Sequence, residues 1–371
     1  MVTISGTGYS QKNDIAGTSL SVIFPFKLML PYLILIILFS LLSEFRYRGN
    51  HILRIPALLL LILFIGLRNE VGADYNAYEV IFEESRSIDY GDWYIEPGWH
   101  FLNRVILGFT SEFKVLTLIH ASAIVVLLYL SLKDFRYYTF AFILFILVSA
   151  GYISIVNQMR QGVAMAIFFY SWRFIRSREI LKYSICILLG ASIHVSIVFV
   201  APMYWIVHKT YDAKLLFVIQ FITLFCFFTH ISDVLFVKLI SLTSYGHYID
   251  SHFMESGLES GMGFLARRII SFVVLLCYGR LVKCYPKYTV WVNMYFLMVV
   301  TSDLFANIVI LARMTKYFCW STFVVIPLFL SAMFKAGESR LLARAFMLAF
   351  YFTLFTYTVY TDIGNNLLYT F

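Results

Sequence analysis

Apolar runs long enough to cross a bilayer recur along nearly the whole chain, and that repetition restricts the fold more than any other feature. They lie at about 22–43, 51–67, 113–132, 137–156, 161–176, 215–230, 264–283, 288–310, 316–334 and 341–360. A hydrocarbon core about 30 Å thick is spanned by about 20 helical residues. Inside lipid every backbone N–H and C=O must be paired within the segment, which selects helices for runs of this length. Hydrophobic residues make up 61% of the sequence and charged residues 13%, against roughly a quarter charged in a soluble domain. The expected fold is all-α: a polytopic membrane protein with about ten transmembrane helices, built as a single membrane domain over residues 1–371. Residues 1–20 are polar and the run after them is long enough to span, so no cleavable signal is expected.

The apolar stretch 181–207 is too long for one upright span and too short for two. If it crossed once, basic linkers would fall on both faces of the membrane, against the positive-inside rule. If it enters and returns, bending near Gly190–His194, the linkers 44–54, 133–136, 173–182, 208–214, 280–287 and 335–344 share one side. Those linkers carry seventeen Lys and Arg against five acidic residues, which makes that side cytoplasmic. The re-entrant reading puts both termini outside, with longer outer loops at about 68–112 and 231–263. The net charge of +8 resides in these short linkers, a membrane-orienting pattern and not a nucleic-acid footprint.

On the outer side lies the longest polar stretch, Gly66–Arg104, which carries Arg68, Asp74, Tyr78, Glu96, Trp99 and His100. Asp74 and Tyr78 are spaced i, i+4, one face if the loop coils. Glu96 precedes Pro97-Gly98 and is flanked by Trp93, Tyr94 and Trp99. A carboxylate among aromatic rings suits a sugar, which offers hydroxyls to the first and apolar C–H faces to the second; an interfacial aromatic belt is the plainer alternative. Asn157, Arg160 and Gln161 sit at i, i+3, i+4 between two spans, with no acidic neighbour to Arg160 in sequence. The guanidinium fork matches a phosphate or diphosphate. Arg313 closes the span that holds Asp303 and Asn307; an internal ion pair with an arginine is the plain reading of Asp303. Arg267 and Arg268 read as headgroup anchors. His194, just after the expected bend and two residues before Ser196, is a candidate general base or hydrogen-bond donor.

The sequence has no DxD cluster, HExxH or GxxxxGK[ST], and the loops are too small for a nucleotide-sugar domain. Any activated donor must arrive through the membrane, and neither a cofactor nor a metal is expected. None of the five cysteines lies in a long polar loop, so no disulfide framework is expected.

Four segments resemble the EpsG-type branch of the Wzy polymerases: LRNEVGADYNAY (Leu67–Tyr78), EPGW (Glu96–Trp99), NQMRQGVAMAI (Asn157–Ile167) and ASIHVS (Ala191–Ser196). The resemblance implies a GT-C-like, multi-spanning glycosyltransferase in the bacterial inner membrane with its site facing the periplasm. It would polymerise undecaprenyl-diphosphate-linked oligosaccharide repeat units of an O-antigen, capsule or exopolysaccharide, without metal, with a chain-length regulator as a candidate partner protein. Arg160, Arg68 and Arg313 would then meet the diphosphate, and Asn157, Gln161, Tyr78, Trp99 and Asp303 would line the substrate path. Glu96, Asp74 and His194 remain alternative bases. The rival readings are an O-antigen ligase, which usually carries a larger late loop, and a transporter of lipid-linked oligosaccharide, which would carry charge at several depths.

Overall fold

The computed structural model describes residues 23–44, 54–87, 95–242 and 262–361. Trp93, Tyr94, the N-terminal residues 1–20, part of the first basic linker and most of the late outer loop lie outside these. The described residues fold into helices, with no strand among them. The order opens with α1 (Ile23–Glu44), α2 (Ile55–Gly66), α3 (Tyr75–Glu84), α4 (Pro97–Leu107) and α5 (Phe113–Leu132). It continues with α6 (Tyr138–Leu147), α7 (Tyr152–Asn157), α8 (Met159–Arg176), α9 (Ile180–Ile193) and α10 (Met203–Ile206). Then come α11 (Ala213–Thr229), α12 (Ile231–Ser241), α13 (Met262–Leu276) and α14 (Tyr278–Cys284). The chain ends in α15 (Thr289–Phe305), α16 (Val309–Cys319), α17 (Thr322–Met333) and α18 (Glu338–Thr361).

By length and apolarity, α5 and α18 can each cross a membrane. The bent pairs α11–α12 (79°) and α16–α17 (52°) bring the number to four if each counts as one span. The other long apolar runs are shorter or broken: 137–156 becomes α6 and α7, and 264–283 becomes α13 and α14. With apolar helices exposing side chains such as Leu188, Phe221 and Leu342 to their surroundings, this is a membrane protein.

A large aromatic core joins these helices. Phe169 packs on Trp291 with ring centroids 4.3 Å apart, and Trp320 meets Phe145 edge-on at 5.6 Å. Aromatic pairs in these geometries add about 0.5–1.5 kcal/mol beyond the area they bury. A second, smaller core lies under the polar outer segment: Tyr75, Tyr78, Phe82, Trp99 and Ile106 close over Phe113 and Met159. In α3 the buried residues Tyr75, Tyr78 and Phe82 recur at i, i+3, i+7, and in α4 Trp99, Asn103 and Ile106 recur at i, i+4, i+7. The amphipathic spacing thus folds the outer segment as two short helices lying on the bundle, joined where Asn103 Nδ2 donates to Ser85 Oγ at 3.1 Å.

The 180–207 stretch doubles back on itself. Tyr183 hydroxyl donates to the Val200 carbonyl at 2.6 Å, and Arg178 Nη1 donates to the Tyr204 carbonyl at 2.8 Å, so the two ends of the stretch meet. Between them α9 stops at His194, whose backbone is extended (φ −157, ψ 113), and a 3-10 turn, Val195–Val200, carries the chain back.

Arg268 departs from its sequence reading as a headgroup anchor. It forms an ion pair with the fully buried Asp303, whose Oδ2 also accepts from Gln220 Nε2 at 2.5 Å and Thr223 Oγ1 at 2.9 Å. The plain reading of Asp303, an internal arginine pair, describes what is there. Removing one member of a buried pair strands the other charge, at about 3–5 kcal/mol. Asp303→Ala should therefore lower thermal stability in detergent by an amount of that order, and Asp303→Ala combined with Arg268→Ala should cost less than the sum of the single changes. Additive losses in thermal unfolding would show that the pair is not coupled.

Candidate functional site

The site is built where the polar outer segment meets the doubled-back stretch. Pro97 occupies the first turn of α4, where its missing N–H is no loss and its fixed φ suits the helix. Glu96 before it is extended (φ −63, ψ 143) and its side chain does not cap its own helix, which leaves the carboxylate to reach elsewhere. Gly98 lets the turn sit directly on the end of α9: a Cβ there would fall 2.5 Å from Ser192 Oγ and 2.7 Å from the Ser192 carbonyl oxygen. The Glu-Pro-Gly sequence thus releases the acid, starts the helix and permits the close approach.

Glu96 is held on both sides. Its Oε1 accepts from His194 Nδ1 at 2.8 Å and from the Val195 N–H at 3.1 Å, and its Oε2 pairs with Arg160 Nη1. Burial pushes the carboxyl up, but the His194 hydrogen bond and the Arg160 charge outweigh it and hold Glu96 at about 2. An ionised carboxylate only accepts, so His194 Nδ1 carries the proton and, in the neutral ring, Nε2 is the basic nitrogen. The acid is therefore a poor proton acceptor, and it holds the imidazole through Nδ1. Arg160 lies beneath Tyr78, 6.0 Å from its ring centroid.

Arg160 sits just past a break. Gln158 (φ −118, ψ 70) separates α7 from α8, so Asn157 and Gln161 do not share one helical face with Arg160 as their spacing predicts. Each has its own task. Asn157 Oδ1 accepts from the Ala73 N–H at 3.1 Å, and Gln161 Nε2 donates to the Arg313 carbonyl at 2.8 Å. Gly72, at φ +116, rests against the Val156 carbonyl, where a Cβ would lie 2.6 Å away. These contacts set Asp74 on the inner edge of the loop. Burial raises its carboxyl above the ordinary value, opposed by the charges of Arg313, Lys316 and Arg160.

Beside this break opens a cavity of about 460 Å³, lined among others by Asn157, Gln158, Arg267, Arg313 and Lys316. Lys316 Nζ donates to Gln158 Oε1 at 2.9 Å. The wall is rich in cations and hydrogen-bond donors, which suits an anion with several oxygens. Lys316 and Gln158 were not singled out by sequence; the available signal is that Lys316 follows Arg313 at i+3 inside an otherwise apolar run.

The structure thus brings Glu96, His194, Arg160 and Tyr78 together, with Asp74, Asn157, Gln161 and Arg313 next to them. Three sequence candidates lie apart from open space. Arg68 is fully buried and donates to the carbonyls of Ile65 (2.8 Å) and Val71 (3.2 Å), closing the end of α2. Trp99 is 1% exposed and packs 6.0 Å from the Tyr78 ring, so it is core beneath the site rather than a sugar platform. Asp303 belongs to the Arg268 pair.

The sequence profile of the EpsG family matches residues 51–371. The chain belongs to the EpsG family. No curated protein and no solved structure matches it. Three of the four segments that carried the resemblance, Glu96–Trp99, Asn157–Ile167 and Ala191–Ser196, converge in this EpsG-family chain on the Glu96 carboxylate, and the fourth packs beside them through Asp74 and Tyr78. Membership gives the coarse function: a polysaccharide polymerase of glycosyltransferase type in a membrane.

Gly98→Ala should separate α4 from Ser192 and weaken the Glu96–His194 contact. We expect a large loss of polymer with near-normal protein in the membrane, whereas Gly279→Ala, with nothing within 4 Å of a Cβ, should be neutral. Equal ladders from the two variants on a polysaccharide gel would contradict the close-packing account.

Glu96 also has a pH signature. Its folded value, about 2, lies below the ordinary 4.5, so its stabilising contribution is full above about 4.5 and is lost as pH falls toward 2. The stability gap between wild type and Glu96→Gln should shrink as pH falls from 4.5 toward 2. A gap that stays constant or widens across that window, followed by thermal unfolding, would contradict an ionised Glu96.

Proposed function

We propose that this EpsG-family chain polymerises undecaprenyl-diphosphate-linked oligosaccharide repeat units at the periplasmic face of the bacterial inner membrane. The reading rests on the Glu96–His194 hydrogen bond together with the cavity whose wall carries Arg267, Arg313 and Lys316. The donor's diphosphate occupies the cavity against Arg313, Lys316 and Arg267. The acceptor hydroxyl attacks the donor's anomeric carbon, a C–O bond forms, and the anomeric C–O bond to the diphosphate breaks. The hydroxyl proton passes to His194 Nε2, with Glu96 holding the ring and accompanying its positive charge. The leaving undecaprenyl diphosphate keeps its electron pair, and the cavity cations stabilise the charge that develops on it. The side chains supply that charge themselves, so the reaction needs no divalent metal.

Arg160 enters this reading differently from its sequence expectation. Its Nη1 is occupied by Glu96, so we assign it to holding the carboxylate and assign the diphosphate contacts to the cavity side chains. The proposal also keeps the orientation read from the basic linkers, with about ten membrane passages that include broken and bent segments, and one membrane domain. The 180–207 hairpin is then a re-entrant segment whose bend faces the periplasm.

The test uses the purified protein in nanodiscs with lipid-linked repeats isolated from cells lacking it, in the presence of chelator. Wild type should give a ladder. His194→Gln should lose about 10²–10⁴ in rate, the usual contribution of a positioned base. Arg313→Ala with Lys316→Ala should raise the donor concentration needed for half-maximal rate. A normal ladder from His194→Gln, or a single transferred repeat with no ladder, would defeat the reading.

A further inference from the structure

Ser196 and Tyr317 meet across the site. Ser196 Oγ and the Tyr317 hydroxyl are 2.8 Å apart, joining residues 121 positions apart in the chain. Ser196 lies on the 3-10 turn, two residues after His194 and one after Val195, whose N–H is bound to Glu96. Tyr317 lies on α16, next to Lys316 and one helical turn after Arg313, both of which line the cavity. The bond therefore spans from the element that carries the proton acceptor to the element that carries the cavity cations.

The Tyr317 ring needs no such partner to pack. It is 2% exposed and meets Phe168 edge-on, with centroids 6.1 Å apart. A phenylalanine would fill the same space, so the hydroxyl is what packing alone does not explain. The turn itself is tightly packed: Ile197 presses so closely on Gly190 that a Cβ there would fall 2.3 Å from Ile197 Cδ1. Ser196 lies between that contact and the Val195 N–H held by Glu96.

We propose that Tyr317 is a positioning residue that couples diphosphate binding in the cavity to the placement of His194. This rests on the diphosphate reading given above. When Arg313 and Lys316 engage the diphosphate they fix α16, and the Tyr317–Ser196 bond carries that constraint to the turn, bringing the imidazole into register once a donor is seated. An enzyme whose donor and acceptor carry the same repeat gains from this arrangement, because the base is held in place only beside an activated sugar.

Hydrogen exchange on the purified chain in nanodiscs, with undecaprenyl diphosphate as probe, reads both ends of the coupling. In wild type the probe should slow exchange in α16 and in residues 192–198. In Tyr317→Phe, and independently in Ser196→Ala, α16 should still be protected while 192–198 exchange about tenfold faster than in probe-bound wild type, the scale of one lost hydrogen bond. Exchange in α8 should be unchanged, which separates a local effect from a damaged fold. With lipid-linked repeats, Tyr317→Phe should lower kcat and leave the half-saturating donor concentration near its wild-type value. Probe protection of 192–198 that survives in both variants would overturn the coupling while leaving the diphosphate site intact. Absence of α16 protection in wild type would overturn the diphosphate reading and the coupling with it.

Discussion

The Glu96 carboxylate is the joint on which the site depends. A charge in apolar surroundings is costly unless it is paired and hydrogen-bonded, and here the imidazole, a backbone N–H and a guanidinium serve it. The same contacts solve a second difficulty. Stopping α9 at His194 removes the Val195 N–H from a helical ladder, and inside an apolar bundle that group needs another acceptor. Glu96 supplies it. One side chain from the outer segment thus makes the broken helix tolerable and orients the histidine the break exposes.

Charge is distributed around this joint in two ways. Arg160 and Arg268 are each matched to a carboxylate, Glu96 and Asp303, and the second pair is sealed among Gln220 and Thr223. Arg267, Arg268, Arg313 and Lys316 line the cavity, and a wall that carries several cations suits an anionic ligand. The Gln161 bond to the Arg313 carbonyl ties the two regions, so the α7–α8 break serves as a wall for both.

Features written locally were legible in the sequence. Basic linkers and the Gly190–His194 break pointed to a doubled-back stretch, and the Tyr183–Val200 and Arg178–Tyr204 bonds are that geometry. Glu96 before Pro97-Gly98 read as the mouth of a turn, and a helix starts there with the acid free of its own cap. What depended on pairing across the chain was not legible. Arg160 and its acid are 64 positions apart, so Arg160 read as a lone cation. The i, i+3, i+4 spacing of Asn157, Arg160 and Gln161 assumed a continuous helix, and Gln158 interrupts it. Trp99 and Tyr78 had the residue types of a sugar platform, but α3 and α4 turn those faces inward, where they join Tyr75, Phe82 and Ile106 over Phe113 and Met159. Lys316 was hidden by its apolar neighbours.

Broken helices recur wherever this site needs backbone out of register. The α6–α7 break exposes the Ala150 carbonyl, which accepts from Trp320 Nε1 at 2.8 Å. At the α7–α8 break the side chains on either side bind outward, Asn157 to Ala73 and Gln158 to Lys316. At the α9 break Glu96 takes Val195. Each interruption is stabilised by a polar side chain from a different part of the chain, and several of those side chains are also the ones that would face substrate. Chemistry and folding are therefore carried by the same groups. A chain of this kind cannot exchange its site residues freely without also reopening a helix end, which is why the outer segment, though polar and short of helical propensity, is pinned by two glycines packed against backbone at Val156 and Ser192.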